Sequence, residues 1–408
     1  MPLIHNIAQL CRVPADGQQH EIGELKDAAL VWRGEEIVWV GAKSDLPEEF
    51  AAEERIDAGG RCVVPGLIDC HTHLCFGGWR GDEFAARLAG KSYQEIQAAG
   101  GGINSTVKQT RAASVDELMA KTAPVLADMA RLGVTTVEAK SGYGLDHANE
   151  IKQLEVYRQL NESQPLEIVS TFLGAHLVPA EYRDRRAEYL SLLCQRLIPE
   201  VAERGLARFC DVFIEANAFT LEEGRRILEA AKAHGLGLKI HADQLSSGGG
   251  AGLAAELGAV SAEHLEYASD QDIAAMAEAG TVAVSLPLAS MYLKEPYLPA
   301  RHWIEAGARV AVATDFNPGS SPSYHLHLAM TLACINQQMT PAEVLKATTS
   351  NAARAIGLHQ THGSLLPGYH ADIAIIDAPD INQWLYHFRP NACLATIKAG
   401  CVVHDGGL

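Results

Sequence analysis

Residues 63–73 have the sequence Val63-Val64-Pro65-Gly66-Leu67-Ile68-Asp69-Cys70-His71-Thr72-His73. The apolar part predicts a buried strand, and side chains two residues apart in a strand point to the same side. His71 and His73 can therefore reach one metal ion. Two later apolar runs, 237–240 and 310–314, end at His241 and Asp315. We predict a metal site at strand ends, with four ligands: His71, His73, His241 and Asp315.

Short apolar runs alternate with helical patterns through the middle of the chain, which indicates parallel βα units. Eight candidate strands cover residues 64–69, 135–139, 168–172, 211–214, 238–240, 259–262, 281–286 and 310–314. Helical patterns such as 221–234 and 269–279 lie between them. The pattern predicts the α/β class and a (β/α)8 TIM-like barrel, whose active site lies at the carboxyl ends of the strands.

Both ends of the chain contain short strand patterns, near residues 28–40 and 371–397. We predict one small β-sandwich-like domain assembled from residues 1–63 and 361–408, with the barrel spanning residues 64–360. The predicted rim of the barrel carries further polar residues: Tyr143, His176, Glu215 and His264. A purely structural barrel does not require this many polar groups on one rim.

Two residues near this rim have an ordinary structural alternative. His264 follows the sixth predicted strand, where a buried core histidine is the alternative to a catalytic or substrate contact. Arg80 follows a loop with two glycines that leaves the first strand. A solvated surface arginine is the alternative to a clamp for a substrate carboxylate.

The composition restricts partners and location. The net charge of −17 argues against broad binding to nucleic acid or to anionic membranes. No apolar run approaches the roughly 18 residues of a membrane span, and the amino terminus does not resemble an export signal. The nine cysteines have no disulfide-like spacing. We therefore predict a cytoplasmic enzyme with reduced thiols that acts on a small molecule.

The motifs resemble the amidohydrolase superfamily of metal-dependent hydrolases. The shared segments are residues 64–73, 76–80, 138–145, 172–176, 241–244 and 314–320, together with His264. Within the superfamily, they are similar to enzymes of histidine degradation that open the ring of 4-imidazolone-5-propanoate to give N-formimidoyl-L-glutamate. The resemblance implies hydrolysis by a metal-activated water that attacks the ring carbonyl.

The resemblance also implies specific roles for residues of this chain. One Zn²⁺ or Fe²⁺/Fe³⁺ is expected per chain, held by the four ligands named above, and a homodimer is expected. A single ion is expected because binuclear relatives carry a carboxylated lysine at the end of strand 4, where this chain has Glu215. Substrate contacts are expected from Arg80, Tyr143, His176, Gln244, Asn317, Gly319 and Ser320.

Proton transfer is expected from Asp315 and His264, and which of the two moves each proton stays open. Gln244 stands where some relatives have Glu, and an amide can hydrogen-bond the ring but cannot accept a proton. Two alternatives remain: a metal-dependent deaminase of a nucleobase or related heterocycle, and a non-catalytic barrel scaffold. Gln244 disfavours the deaminase, and the intact ligand set disfavours the scaffold.

Overall fold

The structure is a computed structural model that describes residues 2–50, 53–91, 95 and 101–407. It contains two sheets. The strands are β1 Leu3–Cys11, β2 Glu24–Arg33, β3 Glu36–Ala42, β4 Arg55–Pro65, β5 Leu67–Thr72, β6 Val134–Lys140, β7 Glu167–Ala175, β8 Phe209–Ile214, β9 Gly237–Ala242, β10 Ser261–His264, β11 Val282–Ser285, β12 Val310–Val312, β13 Ile373–Ile376, β14 Cys393–Lys398 and β15 Cys401–Asp405.

The smaller sheet has seven strands in the order β15-β14-β13-β4-β1-β2-β3, so both termini contribute to it. Alternate residues of its strands, such as Ile4, Leu30, Ile373 and Ile397, pack in one buried cluster. The Trp32 indole of β2 donates a hydrogen bond to the Gly400 carbonyl between β14 and β15 (3.1 Å). The sheet therefore curls over its own core, which confirms a small β domain built from both ends. The exact domain boundaries remain a prediction.

The larger sheet has eight parallel strands in the sequential order β5 to β12. The segment after β12 closes the cylinder against β5, because the Asp315 amide donates to the His71 carbonyl (3.1 Å) and the His73 amide donates to the Phe316 carbonyl (2.8 Å). The predicted (β/α)8 barrel is confirmed. The predicted start of the first barrel strand was wrong, because Val64 belongs to β4 of the small sheet and the barrel strand begins at Leu67.

Helices cover the outside of the barrel. The α-helices whose bounds lie in the described residues are Gly81–Leu88, Ile103–Ala112, Val115–Arg131, His147–Ser163, Arg186–Leu192, Ile198–Glu203, Leu221–Ala233, Gly250–Leu257, Asp270–Ala279, Pro287–Leu293, Ala300–Glu305, Leu326–Gln337, Pro341–Ala347, Ser350–Ala355 and Ile381–Tyr386. Thr220 caps one of them through the Glu223 amide, and Ser269 caps another through the Asp272 amide. These caps explain why the predicted helices 221–234 and 269–279 are accurate to one residue.

None of the helices in the described part of the chain combines the length and apolar character needed to cross a bilayer. All nine cysteines lie in the described part and are unpaired there. Eight of them are buried or half-buried in the barrel and its helices or in the sheet core, where burial raises the pKa of thiols such as Cys75 (to about 12). These thiols are packing groups rather than nucleophiles.

Candidate metal centre and active-site cavity

The four predicted ligands meet at the carboxyl end of the barrel. His71 Nε2 lies 3.4 Å from Asp315 Oδ1, and His73 Nε2 lies 3.5 Å from the same oxygen. His241 Nε2 lies 3.4 Å from His73 Nε2. All four residues are at most 3% exposed. The four residues come from β5 and its end, from β9 and from the segment after β12, which are far apart in sequence. Their polar atoms nevertheless face the same small space at the carboxyl end of the barrel.

The chemistry of this donor set fits a cation. Both ring nitrogens of His71 and Nδ1 of His73 are buried without a hydrogen-bond partner among the described residues. Burial lowers the pKa of both imidazoles well below its usual value, so each is neutral and keeps a lone pair. Burial raises the pKa of Asp315, because its charge has no strong compensation there. A zinc or iron ion suits imidazole and carboxylate ligands and would compensate these groups.

His264 lies at the edge of the same cluster. Its ring centroid is 5.5 Å from that of His241 and 5.9 Å from that of His71. Burial lowers its pKa, and its Nδ1 has no hydrogen-bond partner in the part of the chain that the structure describes. Its φ of +74° is a strained conformation for a residue with a side chain. The backbone is held in this shape at the end of β10, which favours a functional position over ordinary core packing.

The loop after β12 is built around Asn317. The Asn317 amide donates to the Asp315 carbonyl (2.6 Å), and its oxygen accepts from the backbone amides of Gly319 and Ser320 (both 2.8 Å). Asp315 itself has a φ of +54°. The hydrogen bonds of the Asn317 side chain therefore lie within the loop that follows Asp315, and they fix the conformation of that loop.

A cavity of about 1040 Å³ opens above the ligand cluster. All seven predicted substrate contacts line it: Arg80, Tyr143, His176, Gln244, Asn317, Gly319 and Ser320. The Arg80 Nε donates to Thr106 Oγ1 (2.8 Å), which fixes the side chain at the cavity wall. The structure thus places the Arg80 guanidinium on one cavity with three of the predicted metal ligands, His73, His241 and Asp315.

Two aromatic side chains flank the ligands inside this cavity. The His176 ring stacks on His73 with centroids 5.1 Å apart and planes at 22°. Burial lowers the pKa of His176 to about 3, so its Nδ1–H donates to the Gly142 carbonyl (3.0 Å) and Nε2 remains an acceptor. Tyr143 is 2% exposed, and burial raises its pKa, so the phenol keeps its proton. Both residues offer hydrogen bonds without charge.

Gln244 lines the cavity as a half-buried side chain, and no hydrogen bond holds its amide within the described residues. Its amide is thus available to a bound molecule. Glu215, which the sequence also placed on the rim, instead accepts from the Leu245 and Ala216 amides (both 3.0 Å). Glu215 therefore supports the loop that carries Gln244.

Sequence reasoning missed a buried ionic cluster beneath the ligands, formed by Glu138, Lys140 and Asp211. It also missed Arg183 and Arg186, which line the outer cavity. A signal for the cluster was present: Glu138 and Lys140 are charged residues two apart in an otherwise apolar strand, so both point to the same side. Arg183 and Arg186 lie beyond β7 in residues without a distinctive pattern.

Comparisons with known proteins agree with this geometry. The model of the amidohydrolase family matches residues 62–404. The chain is 50% identical over 394 residues to the imidazolonepropionase of Symbiobacterium thermophilum, covering 94% of this chain and 93% of the relative. It is 50% identical over 375 residues to the imidazolonepropionase of Geobacillus thermodenitrificans, covering 91% and 88%.

Among solved structures, an adenosine deaminase from Xanthomonas campestris with bound zinc superposes with a TM-score of 0.73 at 17% identity. The superposition covers 99% of this chain and 93% of the other, and it concerns the fold alone. The identity with these relatives over most of the chain, the match to the family model and the cluster of predicted ligands all lead to one assignment. The chain belongs to the amidohydrolase family and, within it, to the imidazolonepropionases.

Proposed function

We propose that this protein hydrolyses 4-imidazolone-5-propanoate to N-formimidoyl-L-glutamate, a step of histidine degradation. The observation that carries the proposal is that four intact ligand positions cluster together and that three of them, His73, His241 and Asp315, line one cavity with Arg80. It occurs in a chain that is 50% identical, over most of its length, to proteins named for this reaction.

His71, His73, His241 and Asp315 would hold one zinc or iron ion. When bound, such an ion supplies a Lewis acid and lowers the pKa of water from 15.7 to about 7. A single ion is proposed because β8 ends in Phe213-Ile214-Glu215, without the lysine that binuclear relatives carry there. Lys140, on β6, is engaged with Glu138 and Asp211.

The side chains of the cavity position the substrate. Arg80 pairs with the propanoate in a charge-assisted hydrogen bond and so fixes the ring above the ligand cluster. His176 and Tyr143 supply neutral hydrogen-bonding groups beside the ring, and Gln244 hydrogen-bonds to it from the opposite loop. Asn317, Gly319 and Ser320 line the same cavity and contact the substrate, and Gly319 also lies against the Arg80 guanidinium.

Ring opening joins the water oxygen to the carbonyl carbon, breaks the carbon–nitrogen bond and moves one proton to the departing nitrogen. We assign the acceptance of the water proton to the Asp315 carboxylate and its transfer to the nitrogen to the same group. His264 hydrogen-bonds to the carbonyl oxygen as negative charge develops on it. The carboxylic acid formed at the carbonyl carbon releases the second proton of the water to solvent, so the product carries this new carboxylate and the propanoate.

The proposal is tested by an ultraviolet assay that follows loss of the imidazolone chromophore, with product identified by mass spectrometry. We expect turnover that a chelator abolishes and that zinc or iron restores. Metal analysis of the active protein should give one ion per chain, and two tightly held ions would contradict the single-ion site. Absence of turnover in metal-loaded protein, or release of ammonia from guanine or cytosine, would overturn the function.

We further propose a cytoplasmic location and a homodimeric state. The unpaired cysteines support a reducing compartment. The net charge of −17 gives no support to binding of nucleic acid or anionic membrane. Cell fractionation and light scattering of the purified protein test the two proposals separately.

A further inference from the structure

Three fully buried charged residues lie directly beneath the ligand cluster. Lys140 Nζ is 2.7 Å from Glu138 Oε1 and 2.8 Å from Asp211 Oδ2. All three side chains are 0% exposed. Burying charges is unfavourable unless they are paired, and one ammonium with two carboxylates leaves a net charge of −1. The barrel thus contains a buried group with a net negative charge, which is unfavourable for folding, just below the site proposed for a cation.

One carboxylate of this cluster contacts a metal ligand directly. Asp211 Oδ2 lies 3.0 Å from His241 Nδ1, and Asp211 Oδ1 accepts the His241 backbone amide (3.2 Å). A carboxylate oxygen at this distance favours the proton on Nδ1 and so leaves the lone pair on Nε2, the atom that faces His73. Asp211 therefore sets both the tautomer and the ring orientation of His241.

The other carboxylate reaches the strand that carries the remaining histidines. The Glu138 carbonyl accepts the Thr72 hydroxyl (2.7 Å), and Glu138 Oε2 lies 3.4 Å from the Thr72 amide. Thr72 stands between His71 and His73. Lys140 consequently connects, through one carboxylate on each side, the strand of His71 and His73 with the strand of His241.

We propose that Lys140, Glu138 and Asp211 are positioning residues for the metal site, holding ligands from two strands in the geometry that binds one ion. The proposal rests on the metal site of the proposed function. Partners that orient a ligating histidine and raise its basicity typically contribute 10- to 100-fold to metal affinity.

The competing interpretation is that the cluster only stabilises the fold. The chain offers a matched control in a second buried ionic cluster, where Lys398 Nζ lies 2.9 Å from Asp372 Oδ2 and 3.1 Å from Glu167 Oε2. Lys398 is 7% exposed and contacts none of the four ligands within the described residues. A role in stability alone predicts similar behaviour for the two lysines.

The experiment titrates zinc-loaded protein with a chromophoric chelator and records thermal unfolding of the same preparations. Asp211→Asn keeps the shape of the side chain and removes its charge, and we expect zinc to bind about 10- to 100-fold more weakly. Lys140→Met should weaken zinc binding in the same direction. Lys398→Met should lower the melting temperature and leave the zinc affinity within twofold of the parent.

Two outcomes would overturn the proposal: zinc affinity unchanged in Asp211→Asn, or an equal loss of affinity in Lys398→Met. If Lys140→Met does not fold, the double variant Glu138→Gln/Lys140→Met takes its place in the titration. The double variant removes one positive and one negative charge, so the net charge of the cluster is unchanged. A parent protein that binds no zinc or iron would instead refute the metal site itself. The failure of the proposed function and the failure of this inference are therefore distinguishable.

Discussion

Gly319, on the loop after β12, lies against the Arg80 guanidinium in the wall of the cavity. A Cβ placed on Gly319 would lie 2.5 Å from Arg80 Nη1 and 3.0 Å from Cζ. The missing side chain is what allows the guanidinium to lie against the loop after β12. Thr106 holds the Nε of the same arginine from the other side. The position of this single cation is therefore set by two neighbours that carry no charge.

Replacing Arg80 by Ala should raise KM about 10- to 100-fold, because a charge-assisted hydrogen bond contributes about 1.5–3 kcal/mol. Bound metal should stay at the parent level, since Arg80 contacts none of the ligands in the described part of the chain. Steady-state kinetics and metal analysis test both statements. Arg225→Ala, which removes a surface partner of Glu256, is the control. A parental KM in Arg80→Ala would exclude Arg80 from binding the propanoate.

Gly319→Ala should raise KM in the same direction without removing any charge, by about tenfold if the guanidinium shifts and loses about 1.4 kcal/mol of binding energy. Gly81→Ala provides the control, because a Cβ there meets open space among the described residues, although it adjoins Arg80. Kinetics of the two variants side by side give the comparison. Equal KM values in both would show that the contact is unimportant.

At the scale of residues, the sequence predicted which side chains lie together, while their roles as metal ligands and substrate contacts remain predictions. The ligands follow from alternation along a strand and from their place at strand ends, and the cavity contacts from the motifs of a known family. The Asp211 contact with His241 could not be predicted, because it joins two strands whose relative register only the folded barrel defines.

The loop after β12 fixes the backbone that presents Asp315, the proposed ligand and proton acceptor. Asn317 is 4% exposed and supplies three hydrogen bonds that close the turn behind Asp315. The Ser321 hydroxyl donates to the Thr314 carbonyl (2.7 Å), and the Thr314 hydroxyl donates to Asp69 (2.6 Å). The loop is thereby fastened to β5, the strand of His71 and His73.

Asn317→Ala should reduce both activity and stability. Buried backbone groups that lose a partner cost about 1–3 kcal/mol, so we expect the free energy of unfolding to fall by roughly 2 kcal/mol and kcat to fall at least tenfold. Asn351→Ala is the control, because its buried amide bonds Gln19 and the Val310 carbonyl, at the opposite end of β12. Denaturant unfolding and kinetics should show that both variants lose stability, and retained kcat in Asn317→Ala would contradict the role of the loop.

The elements themselves were predictable where local signals are strong. Polar caps mark the helix starts at Thr220 and Ser269, and all eight barrel strands are present. The sixth strand was predicted at residues 259–262 and lies at Ser261–His264. Its hydrophobic run is short, and pairing with β9 decides its extent. The start of the first barrel strand was wrong for a similar reason, since β13 pairs with Val64 and draws it into the small sheet.

At the scale of the molecule, an ionic cluster joins the small sheet to the barrel. Glu167, at the start of β7, lies 2.9 Å from His362 Nε2 and 3.1 Å from Lys398 Nζ of β14. Burial raises the pKa of Glu167, but the hydrogen bond from His362 and the charge of Lys398 outweigh it and lower the pKa to about 2. The carboxylate therefore stabilises the folded protein while it is charged.

Glu167→Gln should lower the melting temperature at pH 7, and the difference from the parent should shrink as the pH falls from about 4.5 towards 2. A depressed folded-state pKa contributes stability above the unfolded-state pKa and loses it as the pH falls through the folded value. Thermal unfolding across this range, in parallel with Glu203→Gln as an exposed control on the surface, measures the effect. A difference that stays constant with pH would contradict it.

The strand order of the small sheet has a consequence for how the chain is made. Strands β1 to β4 leave the ribosome early, yet β4 pairs with β13, which follows on the order of 300 residues later. At about 5–20 residues per second, the edge of β4 waits unpaired for roughly 15–60 s. Nascent chains must keep this apolar edge from other strands throughout that interval. The small sheet can therefore close only after the strands and helices of the barrel have been made.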